Sequence, residues 1–315
     1  MTHKIELIAI LIAALTICTL LPHDTALAAE EFDRRTVKIG QFVYNPLFTV
    51  SGKGVALEVI AAAYKAVGIT PEFRILPLLR AKQYLIDGTV DIFGAGGTTN
   101  FSPEEQKTHG IGTGNYFNYV LALAYYRPQL LQEQVARLEG FEELDDLRGM
   151  TFGSTEIYPG NEMLQNAGLR PIEYAVGSRD ILYQQLQMLQ GGRFDTTQMS
   201  MLGGLIMIQD RFSKSAADFG LTKPFVAEPL TRFYNKNNPK SVYFNQQCEE
   251  GMELIMRGGR ESVYFRILES YWGKNNVPAY ILQNDFKEFG VETLDLSKAL
   301  SYERDENGKI LNLEK

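Results

Sequence analysis

Cysteine is almost missing from this sequence: Cys18 and Cys248 are the only two in 315 residues. Cys18 falls in an amino-terminal stretch that reads as a removable leader, which leaves Cys248 alone and excludes an intramolecular disulfide. The core must hold without a staple. A lone cysteine in a helical pattern reads as a small buried hydrophobe rather than a nucleophile. Histidine is as scarce. Beyond the leader only His109 remains, which excludes His-rich metal sites and leaves one residue for any Ser-His or Cys-His pair. No GxSxG, HExxH or Walker-type loop occurs, and no cofactor or metal is expected. Positive charge is also in short supply, with a formal net charge of −7. An acidic chain without a basic cluster is a poor partner for nucleic acid.

Long apolar runs are limited to one. Residues 7–21 carry no charge, Lys4 precedes them, and Pro22 and then Ala26-Leu27-Ala28 follow. A basic start, a short apolar core and a small-x-small site are the pattern of a secretory signal peptide, with cleavage expected after Ala28. The run is shorter than the roughly 20 residues a spanning helix needs. Ile17 stands before Cys18 where a lipid-modified cysteine wants Gly, Ala or Ser. Lys4, Glu6 and Asp24 leave the leader at −1, so residues 29–315 carry −6. That part is expected to be exported, soluble and monomeric, and its length suits one large or two medium domains.

What the chain does contain is a sentence written twice. In "LIDGTVD" and "LQGGRFD" a Leu-rich helical run ends on glycine, and an apolar residue joined to aspartate follows. Leu85 to Asp91 and Leu189 to Asp195 have the same spacing, with Gly88 and Gly192 in matching places. The surroundings match as well. "TVKIGQFV" alternates as a strand, Leu57, Ile60, Ala61, Tyr64 and Val67 recur at helical spacing before Gly68, and "EFRIL", "LLRAKQYLIDG" and "VDIFGA" read as strand, helix and strand. The second half repeats this with a strand at 150–153, a short helix ended by Gly168, a helix at 178–189 and the strand "RFDTTQM". Strands alternating with helices predict parallel α/β sheets, and the duplication predicts two lobes of similar build. Helices are expected at 242–257 and 261–271, and Asn307-Gly308 between alternating residues signals a hairpin.

In their order, "VKIGQFVYNPLFTVSGKG", "LPLLRAKQYLIDGTVDIFGAGG", "FEELDDLRGMTFGS", "LQGGRFD" and "ESYWG" resemble periplasmic solute-binding proteins of family 3, the group best known for amino-acid ABC importers. The resemblance covers residues 36–273 and rests on order and spacing, since no single piece is specific. It implies the type II periplasmic binding protein fold, in which two α/β lobes are joined by a two-stranded hinge and the ligand lies in the cleft. Lobe one would comprise 29–122 and 228–315, and lobe two 123–227, with crossings near 118–127 and 223–230. The helices of 242–271 would rejoin lobe one. Ligand would sit at the carboxyl ends of the strands, where loops and helix N-termini converge, and closure would be a hinge motion. The partners implied are a small-molecule solute and an ABC permease or a membrane receptor.

The resemblance also points to site residues. Tyr44 and Phe48 occupy the loop after the first strand, where the family places aromatics on the ligand; local packing around Pro46 is the alternative. Arg80 stands in the first turn of a helix, where a cation gains nothing from the dipole, and its fork suits a carboxylate or phosphate. Gly97, Thr98 and Thr99 follow a strand and allow close backbone approach with hydroxyl donors. Ser154 and Thr155 hold the matching place in the second half. Asn161 opens a helix whose free N–H groups, with those near Gly160, suit an anion, though it also reads as a plain cap. Gln198 lies on the strand after the second aspartate and is included in the set. Asp91 and Asp195 are expected to hydrogen-bond neighbouring backbone rather than ligand.

Two departures from the family weaken an amino-acid assignment. Amino-acid binders carry Thr-x-x-Arg after the third strand, with the Arg on the ligand carboxylate. Here the stretch is "SPEEQ", and Glu105 stands in the Arg position, where Ser102, Pro103 and Glu105 also make a capping box. The Asp that pairs with the ligand ammonium, five positions after the second "GxxD" aspartate, is replaced by Ser200. A small polar or anionic solute held by Arg80, hydroxyls and backbone N–H groups is the alternative. The family also resembles cyclohexadienyl dehydratases, enzymes that would need a general acid, for which Glu105 or Glu162 could be proposed. A third reading is a ligand-loaded partner of a membrane sensory receptor.

Overall fold

The computed structural model describes residues 32–97, 100–102, 104–112, 116–155, 161–175, 181–274, 277 and 303–311. The chain divides into Met1–Arg34 and Arg35–Lys315. In the first unit the Arg34 guanidinium lies over the Phe32 ring; the expected signal segment, 1–28, lies outside the described residues. Everything below concerns the second unit.

Its first sheet is built from β1 (Thr36–Gln41), β2 (Thr70–Ile75) and β3 (Ile92–Gly96), with β1 in the middle and parallel to both neighbours. The second sheet repeats this with β6 (Thr151–Ser154) between β7 (Arg170–Glu173) and β8 (Thr196–Ser200), again parallel. Between the two run β5 (Phe117–Tyr126) and β10 (Val226–Asn235), ten residues each and antiparallel, pairing Phe117–Leu121 with Val226–Leu230. Past that overlap the strands part company. β10 continues along β3 and β4 (His109–Ile111), whereas β5 continues along β8 and β9 (Phe219–Leu221). β10 therefore serves both sheets, and β5, paired with it, carries the chain on into the second, so the two strands together form the crossing between the sheets. The run Leu121 to Tyr125 is buried at every position, as expected of a central strand covered on both faces.

Helices cover the sheets where the periodicity predicts. Val55–Ala66 is followed by Gly68 at φ +77°, and Leu78–Ile86 ends before Gly88, also at φ +77°. In the second half Asn161–Asn166 and Ile181–Gln190 end before Gly168 and Gly192, at φ +86° and +70°. A left-handed glycine after the last turn closes each helix. Pro239–Met256 begins on an Asn238 cap, whose Oδ1 accepts from Lys240 N (3.0 Å) and Ser241 N (3.3 Å). It crosses Val55–Ala66 so closely that a Cβ on Gly251 would lie 2.0 Å from the Ala63 carbonyl oxygen. Val263–Trp272 completes this layer.

Helix Met201–Arg211 is absent from the sequence reading. Gly203-Gly204 inside it lowers its helix propensity, but both glycines are required by space. A Cβ on Gly203 would lie 2.7 Å from the Asn45 carbonyl oxygen, and one on Gly204 would lie 2.4 Å from Met199 Sδ. Ser200 caps it by accepting from Gly203 N at 3.0 Å. Among the described residues no helix is long and apolar enough to cross a membrane.

Candidate functional site

The twice-written sentence has one structural meaning. Asp91 accepts the Lys38 N–H of β1 at 2.8 Å, and Asp195 accepts the Thr151 N–H of β6 at 2.7 Å. In both halves the carboxylate ties the central strand to the strand that follows the aspartate. Asp195 also accepts from Thr151 Oγ1 (2.8 Å), and Asp91 has Lys240 Nζ at 3.0 Å. Neither aspartate is placed as a ligand contact. Their shared role aligns β1 with β3 and β6 with β8.

The loop after β1 folds back on itself. Tyr44 and Phe48 exchange backbone hydrogen bonds at 2.8 and 2.9 Å and are both buried. The structure then separates the pair. Phe48 turns into the first lobe, its ring edge-on to Phe42 at 5.3 Å. Tyr44 reaches the other lobe, where its hydroxyl accepts from Ser200 N at 3.1 Å. The carbonyls of Pro46 and Leu47 accept from Val55 N (3.2 Å) and Ala56 N (3.3 Å), so the first amides of helix Val55–Ala66 are already occupied. Gly54, at φ +114°, makes this possible; a Cβ there would lie 2.5 Å from the Pro46 oxygen.

Arg80 is the third residue of helix Leu78–Ile86, exposed, and makes no hydrogen bond or ion pair among the described residues. Two residues on, Lys82 is the engaged cation, a residue the sequence reading passed over. Its Nζ donates to the Asn100 carbonyl (2.9 Å), lies 2.7 and 2.9 Å from the two Glu105 oxygens, and sits over the Phe101 ring. Glu105 also accepts from Ser102 N (2.7 Å), while its own N–H donates to Ser102 Oγ (3.2 Å): the capping box is formed. Burial alone would raise the Glu105 carboxyl, but Lys82 and the Ser102 backbone outweigh it and hold it below its usual value. Gly97 is buried after β3 and its carbonyl accepts from Asn100 N at 3.0 Å. Thr98 and Thr99 lie outside the described residues.

The second lobe presents neutral polar groups at the ends of β6 and β8. Ser154, Thr155 and Gln198 are buried. Asn161 Nδ2 donates to the Thr155 carbonyl at 2.7 Å, and Gln198 Nε2 donates to Asn161 Oδ1 at 2.9 Å. Asn161 therefore ties three candidate residues together instead of capping its own six-residue helix. Gln198 Oε1 and Thr155 Oγ1 are sealed from solvent without a hydrogen-bond partner among the described residues; a buried unsatisfied group costs about 1–3 kcal/mol. Tyr174, also missed in sequence, closes this wall beside Phe194. Burial pushes its hydroxyl well above the ordinary range, Gln185 opposes the rise, and the nearness of Tyr44 adds to it.

The histidine and cysteine singled out in the sequence are both buried. His109 is buried with Nδ1 2.6 Å from the Glu105 carbonyl oxygen. Cys248 is fully buried, and burial raises its thiol. Its sulfur lies 3.8 Å from Tyr116 Oη. The tail does form a turn, with Arg304 bridged to Ile310 and Asn307 accepting from Ser51 Oγ at 2.7 Å. That turn and Asn45-Pro46 border a cavity of ≈ 420 Å³ against helix Met201–Arg211.

No protein-family model and no curated protein matches the chain. Solved structures do. An ancestral arginine-binding protein bound to arginine matches with a TM-score of 0.58 at 18% identity, over 76% of this chain and 99% of its own. The probable amino-acid ABC transporter extracellular-binding protein ytmK from Bacillus subtilis matches at 0.58 and 15%, over 76% and 98%. The VFT2 domain of BvgS from Bordetella pertussis, a double mutant, matches at 0.58 and 12%, over 74% and 94%. These likenesses show the fold: the chain has the two-lobed architecture of type II periplasmic binding proteins.

Proposed function

We propose that this chain is an exported solute-binding protein that captures a small polar or anionic solute between its lobes and delivers it to an ABC importer. The carrying observation is the pair of hinge strands joining two sheets whose ends meet at Tyr44 and Ser200, beside a wall of buried, partly unsatisfied polar groups. Buried polar groups left unsatisfied call for an explanation, and a bound solute supplies one. In this reading 29–122 and 228–315 move as one lobe against 123–227, and residues 1–28 are removed on export. Tyr44, Gly97, Thr98 and Thr99 from the first lobe and Ser154, Thr155, Asn161 and Gln198 from the second enclose the solute. Arg80 is available for an anionic end of it, and Phe48 packs against Phe42 and anchors the loop that carries Tyr44.

The named binding proteins of the same fold support capture rather than turnover. The enzyme alternative finds no support in its acids: Glu105 is held ionised by Lys82, a poor state for a general acid, and Glu162 is exposed. The likeness to a histidine kinase sensor domain similar to periplasmic binding proteins, with a TM-score of 0.55 at 17% identity, favours one second reading, delivery of the loaded protein to a membrane receptor. The test is a thermal-shift panel of amino acids, polyamines, dicarboxylates, sugars, phosphorylated compounds and prephenate on residues 29–315. A solute at a hundred times its Kd adds about 2.7 kcal/mol, a rise of several degrees. A rise confined to one chemical class supports capture. A prephenate signal that decays as product forms would overturn it.

A further inference from the structure

We infer that the part of the solute lodged against the second lobe is a hydrogen-bond donor, and that Gln198 selects it. The inference rests on the binding function proposed above and follows from the direction of a three-residue chain of hydrogen bonds.

A backbone carbonyl can only accept. The Thr155 carbonyl lies 2.7 Å from an Asn161 side-chain terminus, so that terminus is the amide nitrogen. The other terminus of Asn161 is then the oxygen, which also only accepts, and it lies 2.9 Å from Gln198. The Gln198 terminus facing it is therefore the nitrogen. Its remaining terminus, Oε1, is left as an acceptor and is unmatched among the described residues. An amide side chain can ordinarily turn over and present either end. This one cannot, because each reversal would set two oxygens or two nitrogens against each other. Asn161 is thus a positioning residue that fixes the polarity of Gln198. Gln198 is fully buried in the middle of β8, and Thr155 Oγ1, unmatched just past the end of β6, can serve a ligand in either direction.

A carboxylate or a fully ionised phosphate brings only acceptors, so neither fits against Gln198 Oε1. An ammonium, guanidinium, amide or hydroxyl does. Thr155, Asn161 and Gln198 bring no carboxylate to this chain of contacts, so the selection is made by a neutral acceptor.

The test compares Kd by calorimetry for donor-bearing probes (L-arginine, L-glutamine, 1,4-diaminobutane) and acceptor-only probes (succinate, 2-oxoglutarate), using wild type, Gln198→Leu and Asn161→Ala. Expected are binding among the donor probes, at least tenfold weaker binding in Gln198→Leu, and loss of the donor-over-acceptor preference in Asn161→Ala. A purely structural role for Asn161 would weaken all probes alike and leave the preference intact, and that result would overturn the assignment. So would an acceptor-only solute whose Kd is indifferent to Gln198→Leu, although it would leave the binding function standing. Silence of every probe on folded wild type would sink both. Should Gln198→Leu fail to fold, Gln198→Met and the Asn161→Ala preference carry the test.

Discussion

The two lobes share a joint but not a way of using polarity. In each, an aspartate at the same place in the duplicated segment receives a backbone N–H from the neighbouring parallel strand. Around that joint they diverge. Among the described residues, the charged side chains buried outright, Asp91 and Arg232, belong to the first sheet and its helices, with His109 beside them. The second lobe buries Gln185, Thr196, Thr197, Gln198 and Ser200 instead, all neutral. The first lobe's charges are matched internally: Asp91 by Lys240, Arg232 by Asn245 and Glu249, Lys82 by Glu105. Matched charge stiffens a lobe and leaves little for a ligand. Unmatched neutral acceptors cost less to bury and remain available. Under the binding function proposed above, solute selection falls to the second lobe, while the first supplies rigidity and an aromatic cover.

The largest effect should come from breaking the first lobe's charge network. Arg232 is 0% exposed, with Nε 2.8 Å from Asn245 Oδ1 and Nη2 2.9 Å from Glu249. Arg232→Met should cost about 2–4 kcal/mol in urea unfolding, because Glu249 and Asn245 lose their partner in place. Gln198→Leu should cost less, about 0.5–1.5 kcal/mol, since Oε1 is already unmatched and only the Nε2 bond to Asn161 is lost. Equal costs would break the comparison. Next come the twin aspartates. Asp91→Ala should cost about 2–3 kcal/mol and Asp195→Ala about 1–2 kcal/mol, because the first also strands a lysine. The reverse order would mean that the Lys240 contact adds nothing.

Much of this was legible in sequence, and the failures have physical causes. Glycines at positive φ, Gly68, Gly88, Gly168 and Gly192, punctuate the helices where periodicity stops, so the alternation of strand and helix could be read directly. The duplication revealed two lobes because each repeat needs the same aspartate joint. Helix Met201–Arg211 was hidden because Gly203 and Gly204 answer to Asn45 and Met199, contacts formed only in the folded chain. The site was less legible. Tyr44 and Phe48 look alike in sequence, and only the folded loop sends one across to Ser200 and the other into the core. Lys82 was overlooked beside Arg80 because a helix of nine residues turns one cation toward Glu105 and leaves the other exposed.

A smaller effect is expected from acid. Glu105 is held below its ordinary value of 4.5 in the folded protein. A depressed carboxyl contributes stability that is present above the unfolded pKa and lost as pH falls through the folded one. Wild type should therefore exceed Glu105→Gln by about 1 kcal/mol at neutral pH, the scale of a capping interaction. The difference should shrink as pH drops below 4.5 and vanish once both proteins carry a neutral side chain there. A difference that persists unchanged in acid would show that Glu105 acts by packing rather than by its charge.

Arg80→Ala should have the smallest effect on stability, within about 0.5 kcal/mol, because the side chain is exposed and has no partner among the described residues. Its effect on binding separates two divisions of labour between the lobes. If the solute has an anionic end that meets Arg80, affinity for anion-bearing solutes should fall with Arg80→Ala and be partly kept by Arg80→Lys, which preserves charge but not the fork. The affinity lost should also diminish at high salt, since an exposed pair is screened. If Arg80→Ala leaves affinity and salt dependence untouched, the first lobe contributes no charge to recognition. Selection then rests on the neutral acceptors of the second lobe, with Tyr44 closing over the solute.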